Sequence, residues 1–239
     1  MTLFRVIIAV LTQYWFSMVP KNRRSLAVLM GDLVGSERAQ SVKAVHRAFN
    51  NAVDSANNSW ATEIESPLTI TLGDEFQGLL STLGHAWAVA CELRLRLLTA
   101  NVSCRFVIGA TQLETPVNPK EAWNMMGSGL AAARDKLNDK RTSNAYRFSL
   151  PGDPILESLL DAVGDSLTDV ELGWTTTQRE YYSRVRDASR TNAKTARSLG
   201  VTPRSLYKVL HAARADFHRR QSATIRYALT GLDERYGLR

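Results

Sequence analysis

Histidine and cysteine are scarce in this chain, with four and two among 239 residues. Two cysteines, Cys91 and Cys104, are too few for a disulfide framework or a thiolate metal cluster. Both have apolar neighbours, so they read as reduced and buried, in a reducing compartment; the expected location is cytoplasmic. His46, His85, His211 and His218 lack metal-ligand spacing and read as surface or helix residues. No nucleophile–base pair is visible, since Ser36 has no histidine near it in sequence. A membrane-length apolar run is missing too. Met1 to Val19 is apolar and aromatic, but it is short for a span and holds Gln13. It runs into Pro20-Lys-Asn-Arg-Arg24 without a small-residue cleavage site, which argues against a signal peptide. Three readings of this segment remain: an interfacial anchor, an extra helix packed on the body, or an upstream extension with initiation at Met18. The favoured one is a dispensable extension over residues 1–25, and a membrane partner is not expected.

What is present suits a globular protein of one or two domains: 44% of residues are hydrophobic and 22% charged. The net charge of +7 is unevenly spread. From Trp174 onward there are 14 Lys or Arg and 5 Asp or Glu, a net +9, which leaves −2 for everything before it. A basic final third beside a mildly acidic body points to nucleic acid at the C-terminal end.

The stretch Leu68-Thr-Ile-Thr-Leu-Gly-Asp-Glu-Phe-Gln-Gly-Leu-Leu80 alternates apolar and polar residues, breaks at Gly73-Asp74, and resumes at Phe76. It reads as a β-hairpin with Gly73-Asp74 at or near its turn. Two readings fit its acids. Asp74 and Glu75 are either solvated turn residues or carboxylates aimed at a metal that carries phosphate oxygens. Upstream, Leu26-Ala-Val-Leu-Met30 reads as a buried central strand ending in Gly31-Asp-Leu-Val-Gly-Ser36. Helical spacing follows from Val42 to Val53, with Ser36 placed to cap it. Leu83 to Leu98 reads as a second helix and Cys104 to Ala110 as another buried strand. Ala131 to Leu137 is helix-forming, and Tyr146 to Leu150 suits an edge strand. Pro151-Gly-Asp-Pro154 marks a domain boundary, after which the chain reads as all helix. Residues 26–150 therefore form an α+β domain in the order of the ferredoxin-like βαββαβ arrangement, and residues 151–239 a helical domain.

In such a sheet the first strand lies beside the hairpin, so Asp32 sits next to Asp74. Two close carboxylates repel unless a cation lies between them, and oxygen ligands suit Mg2+ or Mn2+. The backbone N–H groups of Leu33, Val34, Gly35 and Ser36 are placed to cradle phosphate oxygens. This is a phosphoryl-transfer constellation that needs no covalent nucleophile.

Gly31-Asp-Leu-Val-Gly-Ser36 together with Leu72-Gly-Asp-Glu-Phe-Gln77 closely resembles the SatD family of small prokaryotic proteins. The similarity runs on through Trp174-Thr-Thr-Thr-Gln178 to the C-terminus, leaving out the first two dozen residues. More distantly, the body resembles class III nucleotidyl cyclases and GGDEF diguanylate cyclases. That resemblance implies a cyclase-like palm domain, metal ligands at Asp32 and Asp74, and a catalytic set of Asp32, Asp74 and Glu75. With Leu33 to Ser36 and Gly73, Arg134 completes the candidate nucleotide contacts, and of these the resemblance supplies Arg134. The sequence departs from the pattern at two places. Leu72 replaces the first glycine of the GGDEF signature and would crowd a guanine nucleotide. Leu130 replaces the asparagine of the cyclases' Asn-x-x-x-Arg helix, whose end matches Ala132-Ala-Arg134. Arg134 is thus either a phosphate contact or a solvated helix charge.

In Asn192 to Leu210, Ala196 is small, Gly200 follows four residues later, and Val201, Leu206 and Val209 are apolar. This is helix-turn-helix spacing, with Pro203 in the first turn of the second helix. Thr202, Pro203, Arg204, Tyr207 and Lys208 would face outward toward DNA. Trp174-Thr-Thr-Thr-Gln178 resembles the lead-in of sigma-factor-like helix-turn-helix domains. The plainer alternative is a helical hairpin used for homodimerisation. The leading expectation is a ligand-responsive DNA-binding regulator with a nucleotide and Mg2+ or Mn2+ in its cyclase-like domain. The rival is an active nucleotidyl cyclase or nucleotidyltransferase whose helices target or dimerise it. A third reading is a scaffold whose acids hold a structural ion.

Overall fold

The computed structural model describes residues 24–36, 41–71, 73–186 and 191–238. The expectations for the segment before Arg24 and for Leu72 lie outside the described residues. The chain is mixed α+β, with six strands in one sheet and, among the described residues, eight helices. In order these are β1 (Arg24–Val34), α1 (Val42–Ser59), β2 (Ile64–Ile70), β3 (Glu75–Leu80), α2 (Leu83–Thr99), β4 (Ser103–Leu113), β5 (Gly127–Ser128), α3 (Leu130–Asn138), β6 (Tyr146–Ser149), α4 (Pro154–Leu172), α5 (Thr176–Val185), α6 (Asn192–Ser198), α7 (Pro203–Ala212) and α8 (Ala215–Arg235).

The strand path is β2-β3-β1-β4-β5, with β6 also on β4. Neighbouring strands along β2-β3-β1-β4 are antiparallel, and β6 runs parallel to β4. The order β2-β3-β1-β4 is the split βαβ order. Successive side chains of β1 point to opposite faces. Ala27, Leu29 and Leu33 enter the main core with Phe49 of α1, Trp87 of α2 and Phe106 of β4. Leu26, Val28 and Met30 enter a smaller core under Ala133 and Leu137 of α3. Asp32 continues this second row. Gly31 has no side chain because a Cβ there would run into the ring of Phe76.

One local expectation is corrected. Ser36 does not cap α1; the helix begins later, where the Ser41 hydroxyl accepts from the Ala44 N–H at 3.2 Å. Residues 146–149 lie at the sheet margin as expected, yet all four are buried, because α4 packs over β6. The main core extends past the Pro151 turn. It includes Leu160 and Leu167 of α4 and Ile225, Leu229 and Leu232 of α8. Around α5–α7 a separate cluster gathers Trp174, Tyr182, Ala196, Leu206 and Leu210, with Leu95 and Val170 at its base.

Between these cores lies a buried polar junction. The fully buried Glu171 accepts from Arg94 Nε at 2.7 Å and from the Tyr146 hydroxyl at 2.6 Å, and His218 Nε2 lies 2.9 Å from it. The Tyr182 hydroxyl reaches the other ring nitrogen of His218 at 2.7 Å. His218 is therefore a buried helix residue, tied to a carboxylate, and not a solvated one.

Candidate functional site

The register of the sheet brings the acids together. Asp32 pairs with Glu75 across β3 and with Arg105 across β4. The hairpin turn places the Asp74 carbonyl where it accepts the Leu33 N–H at 2.9 Å. Gly73 takes the left-handed conformation at φ 83°, which suits a residue without a Cβ. The Ser36 hydroxyl donates to Asp74 Oδ2 at 3.5 Å. Asp32, Asp74, Glu75 and Ser36 thus lie near one another where the end of β1 passes the hairpin tip.

Asp32 is buried, and Arg105 Nε lies 3.2 Å from its Oδ2. Burial raises the Asp32 carboxyl above its ordinary 3.8; Arg105 and Lys140 oppose the rise, and Asp74 and Glu75 add to it. Arg105 was not singled out from sequence. A signal existed: it is the one charge in Cys104-Arg-Phe-Val-Ile-Gly-Ala110, and β4 pairing antiparallel with β1 puts it opposite Asp32.

The remaining predicted residues divide. Val34 and Gly35 are exposed beside Ser36. Leu33 is different: its N–H is committed to Asp74 and its side chain to the main core, so of the four residues expected to cradle phosphate only Val34, Gly35 and Ser36 keep that position open. Arg134 on α3 donates to the Gln77 side chain, whose register partner is Met30, one same-face step from Asp32. It flanks the acids without touching them. Among the described residues no three His, Cys, Asp or Glu side chains converge on one point that could hold a metal ion. As donors, the Asp32 and Asp74 carboxylates and the Ser36 hydroxyl are of the kind that suits Mg2+ or Mn2+, because Mg2+ usually takes one or two carboxylates and completes its shell with water and phosphate. A cleft of about 1040 Å3 between α1, α2 and α5, around Trp60, Glu92 and Arg184, holds none of the predicted residues.

The second predicted site lies on α6 and α7. Gly200 ends α6 with φ 69°, and Ala196 and Leu206 are buried against each other's helices. Thr202 caps α7, its Oγ1 accepting from the Ser205 N–H at 3.1 Å, and Pro203 fills the first turn. Thr202, Pro203, Arg204, Tyr207 and Lys208 are all exposed on α7 and its cap.

The strand-end acids on a βαββαβ sheet, with helices packed on it, define a mixed α+β protein with a polar site beside its central hairpin. The SatD family model matches residues 26–225, and the chain belongs to the SatD family. No curated protein matches it. Several solved structures are similar over part of their length. The guanylyl cyclase Cya2 is 14% identical, with 48% of this chain and 69% of that one covered and a TM-score of 0.35. The monomeric guanylyl cyclase domain of the RhoGC fusion protein from the aquatic fungus Blastocladiella emersonii is 17% identical, covering 47% and 74%, TM-score 0.33. A bacterial light-regulated adenylyl cyclase is 10% identical, covering 61% and 55%, TM-score 0.38.

Proposed function

We propose that this SatD family protein is a ligand-responsive DNA-binding regulator. In this reading the sheet domain binds a nucleotide with Mg2+ or Mn2+, and α6–α7 is a helix-turn-helix that reads duplex DNA. The observation that carries it is the outward row on α7. Five side chains that could meet DNA, two of them cationic, stand exposed together on a helix whose other side is buried. A capped, proline-led N-terminus presented this way suits insertion into a major groove. The net +9 from Trp174 onward supplies phosphate attraction.

At the other site Asp32 and Asp74 would hold the ion, Val34 to Ser36 and Gly73 would offer N–H groups to phosphate oxygens, and Arg134 would approach from α3. When bound, the ion neutralises phosphate charge. The two buried cysteines suit a reducing, cytoplasmic setting. We treat residues 26–150 as the ligand-binding part and 151–239 as the helical part, with α5–α7 as the reading unit.

The test is a binding selection from random duplexes with the full chain. A preferred site whose selectivity survives moderate salt supports a regulator. Equal binding to every duplex, governed by salt alone, leaves only a basic surface. A second reading, an active Mg2+-dependent nucleotidyl cyclase or nucleotidyltransferase, is favoured by the rigid placement of Asp32 beside the Asp74–Glu75 tip. Incubation with each nucleoside triphosphate and Mg2+ or Mn2+, with separation of products, decides it.

A further inference from the structure

Arg105 is held unlike two buried arginines, Arg147 on β6 and Arg94 on α2. Arg147, its neighbour on β6, donates to the carbonyls of Lys136, Asp139, Thr142 and Asn144. Arg94 donates to Glu171 and to the Cys104 carbonyl. Arg105 instead lies against Asp32, with only 11% and 4% of the two side chains exposed, and its buried Nε makes no hydrogen bond despite the 3.2 Å approach. The contact has the proximity of an ion pair without the alignment of a hydrogen bond. A guanidinium carries five donors in a planar fork suited to oxyanions. Burying one with a donor unused is unfavourable until an acceptor arrives.

Resting on the metal-and-nucleotide reading of the Asp32 site, we propose that Arg105 is a built-in counter-ion that keeps Asp32 from a divalent cation until a phosphate group takes the guanidinium. The charges disfavour either ligand on its own. A lone cation approaching Asp32 meets the positive guanidinium already seated there. A lone phosphate approaching Arg105 meets Asp32, with Asp74 and Glu75 close behind. Cation and phosphate arriving together split the pair, each taking the partner of opposite sign. The two ligands therefore assist each other's binding, and the assistance is reciprocal. Because Asp32 and Arg105 are register partners on central strands, the backbone cannot slide them apart, and only the side chains need turn.

Reciprocal variants of the full chain test this. Arg105→Gln should bind Mn2+ alone, without nucleotide, at least about tenfold more tightly than the parent, followed by calorimetry or Mn2+ electron paramagnetic resonance. Asp32→Asn should bind pyrophosphate in EDTA about tenfold more tightly than the parent, because its Arg105 is released. A pair that is merely structural predicts lower melting temperatures and no gain in either affinity, and that outcome overturns the proposal. Asp32→Asn is nearly isosteric, so its arm decides even where Arg105→Gln fails to fold. Asp74→Asn separates the two readings. If it leaves Mn2+–ATP binding untouched, the metal-site reading fails and takes this proposal with it. If it weakens that binding while neither reciprocal gain appears, the counter-ion proposal alone fails.

Discussion

Asp32 continues an apolar row and ends up buried beside an arginine, so its charge is the most heavily constrained at the strand-end site. The double variant Asp32→Asn with Asp74→Asn should stay folded and lose divalent-dependent nucleotide binding. Calorimetry with Mg2+ and each nucleoside triphosphate checks this, and unchanged affinity would refute the metal site. Gly31 next to it is fixed by the ring of Phe76. Gly31→Ala should overpack this contact and cost about 1–3 kcal/mol, read from the shift of the denaturation midpoint. Glu171 sets a third residue-scale expectation. Burial works to raise its carboxyl, but Arg94, His218 and Tyr146 outweigh that and hold it below its ordinary 4.5. A carboxyl lowered in the folded state adds stability above its unfolded value and loses it as the pH falls through the folded one. Melting temperature should therefore drop with acid below about pH 4.5, less steeply in Glu171→Gln. That variant should itself cost about 3–5 kcal/mol at neutral pH, because it leaves the buried Arg94 without its charge partner.

At the scale of elements, α7 is the one whose surface carries the functional proposal. Lys208→Ala should weaken binding to all duplexes alike if it meets phosphate, and Arg204→Ala should cost about 1–3 kcal/mol at one base position if it reads a guanine edge. A binding selection repeated with each variant distinguishes the two roles. The elements that hold these residues were legible in the sequence where a local rule governs them. Alternation around Gly73-Asp74 gave the hairpin, and the spacing of Ala196, Gly200 and Leu206 gave two helices with a turn between them. Asp32 lying beside the hairpin tip followed from the βαββαβ order alone. What escaped depends on partners distant in the chain. Arg105 acquires meaning only from the register with Asp32. His218 reads as an ordinary helix residue until Glu171 and Tyr182 close around it. The burial of β6 is set by α4, and the cap of α1 is Ser41, while Ser36 lies against Asp74.

Across the whole molecule, the sheet's core takes in α4 and α8, while α5–α7 pack on a core of their own whose base, Leu95 and Val170, comes from α2 and α4. The carboxylate of Glu171 joins α2, β6, α4 and α8 at this boundary, and Tyr182 brings in α5 through His218. The strand-end site and the exposed row on α7 are thus parts of one packed structure. The proposal of a ligand-responsive regulator requires that occupancy of one alter the other. The most direct test is the affinity of the full chain for its selected duplex, measured at fixed salt with and without Mg2+ and each of ATP, GTP, CTP and UTP. At least one nucleotide should change that affinity about fivefold or more, and the change should vanish in the Asp32→Asn, Asp74→Asn double variant. An affinity identical under every nucleotide condition would contradict the account.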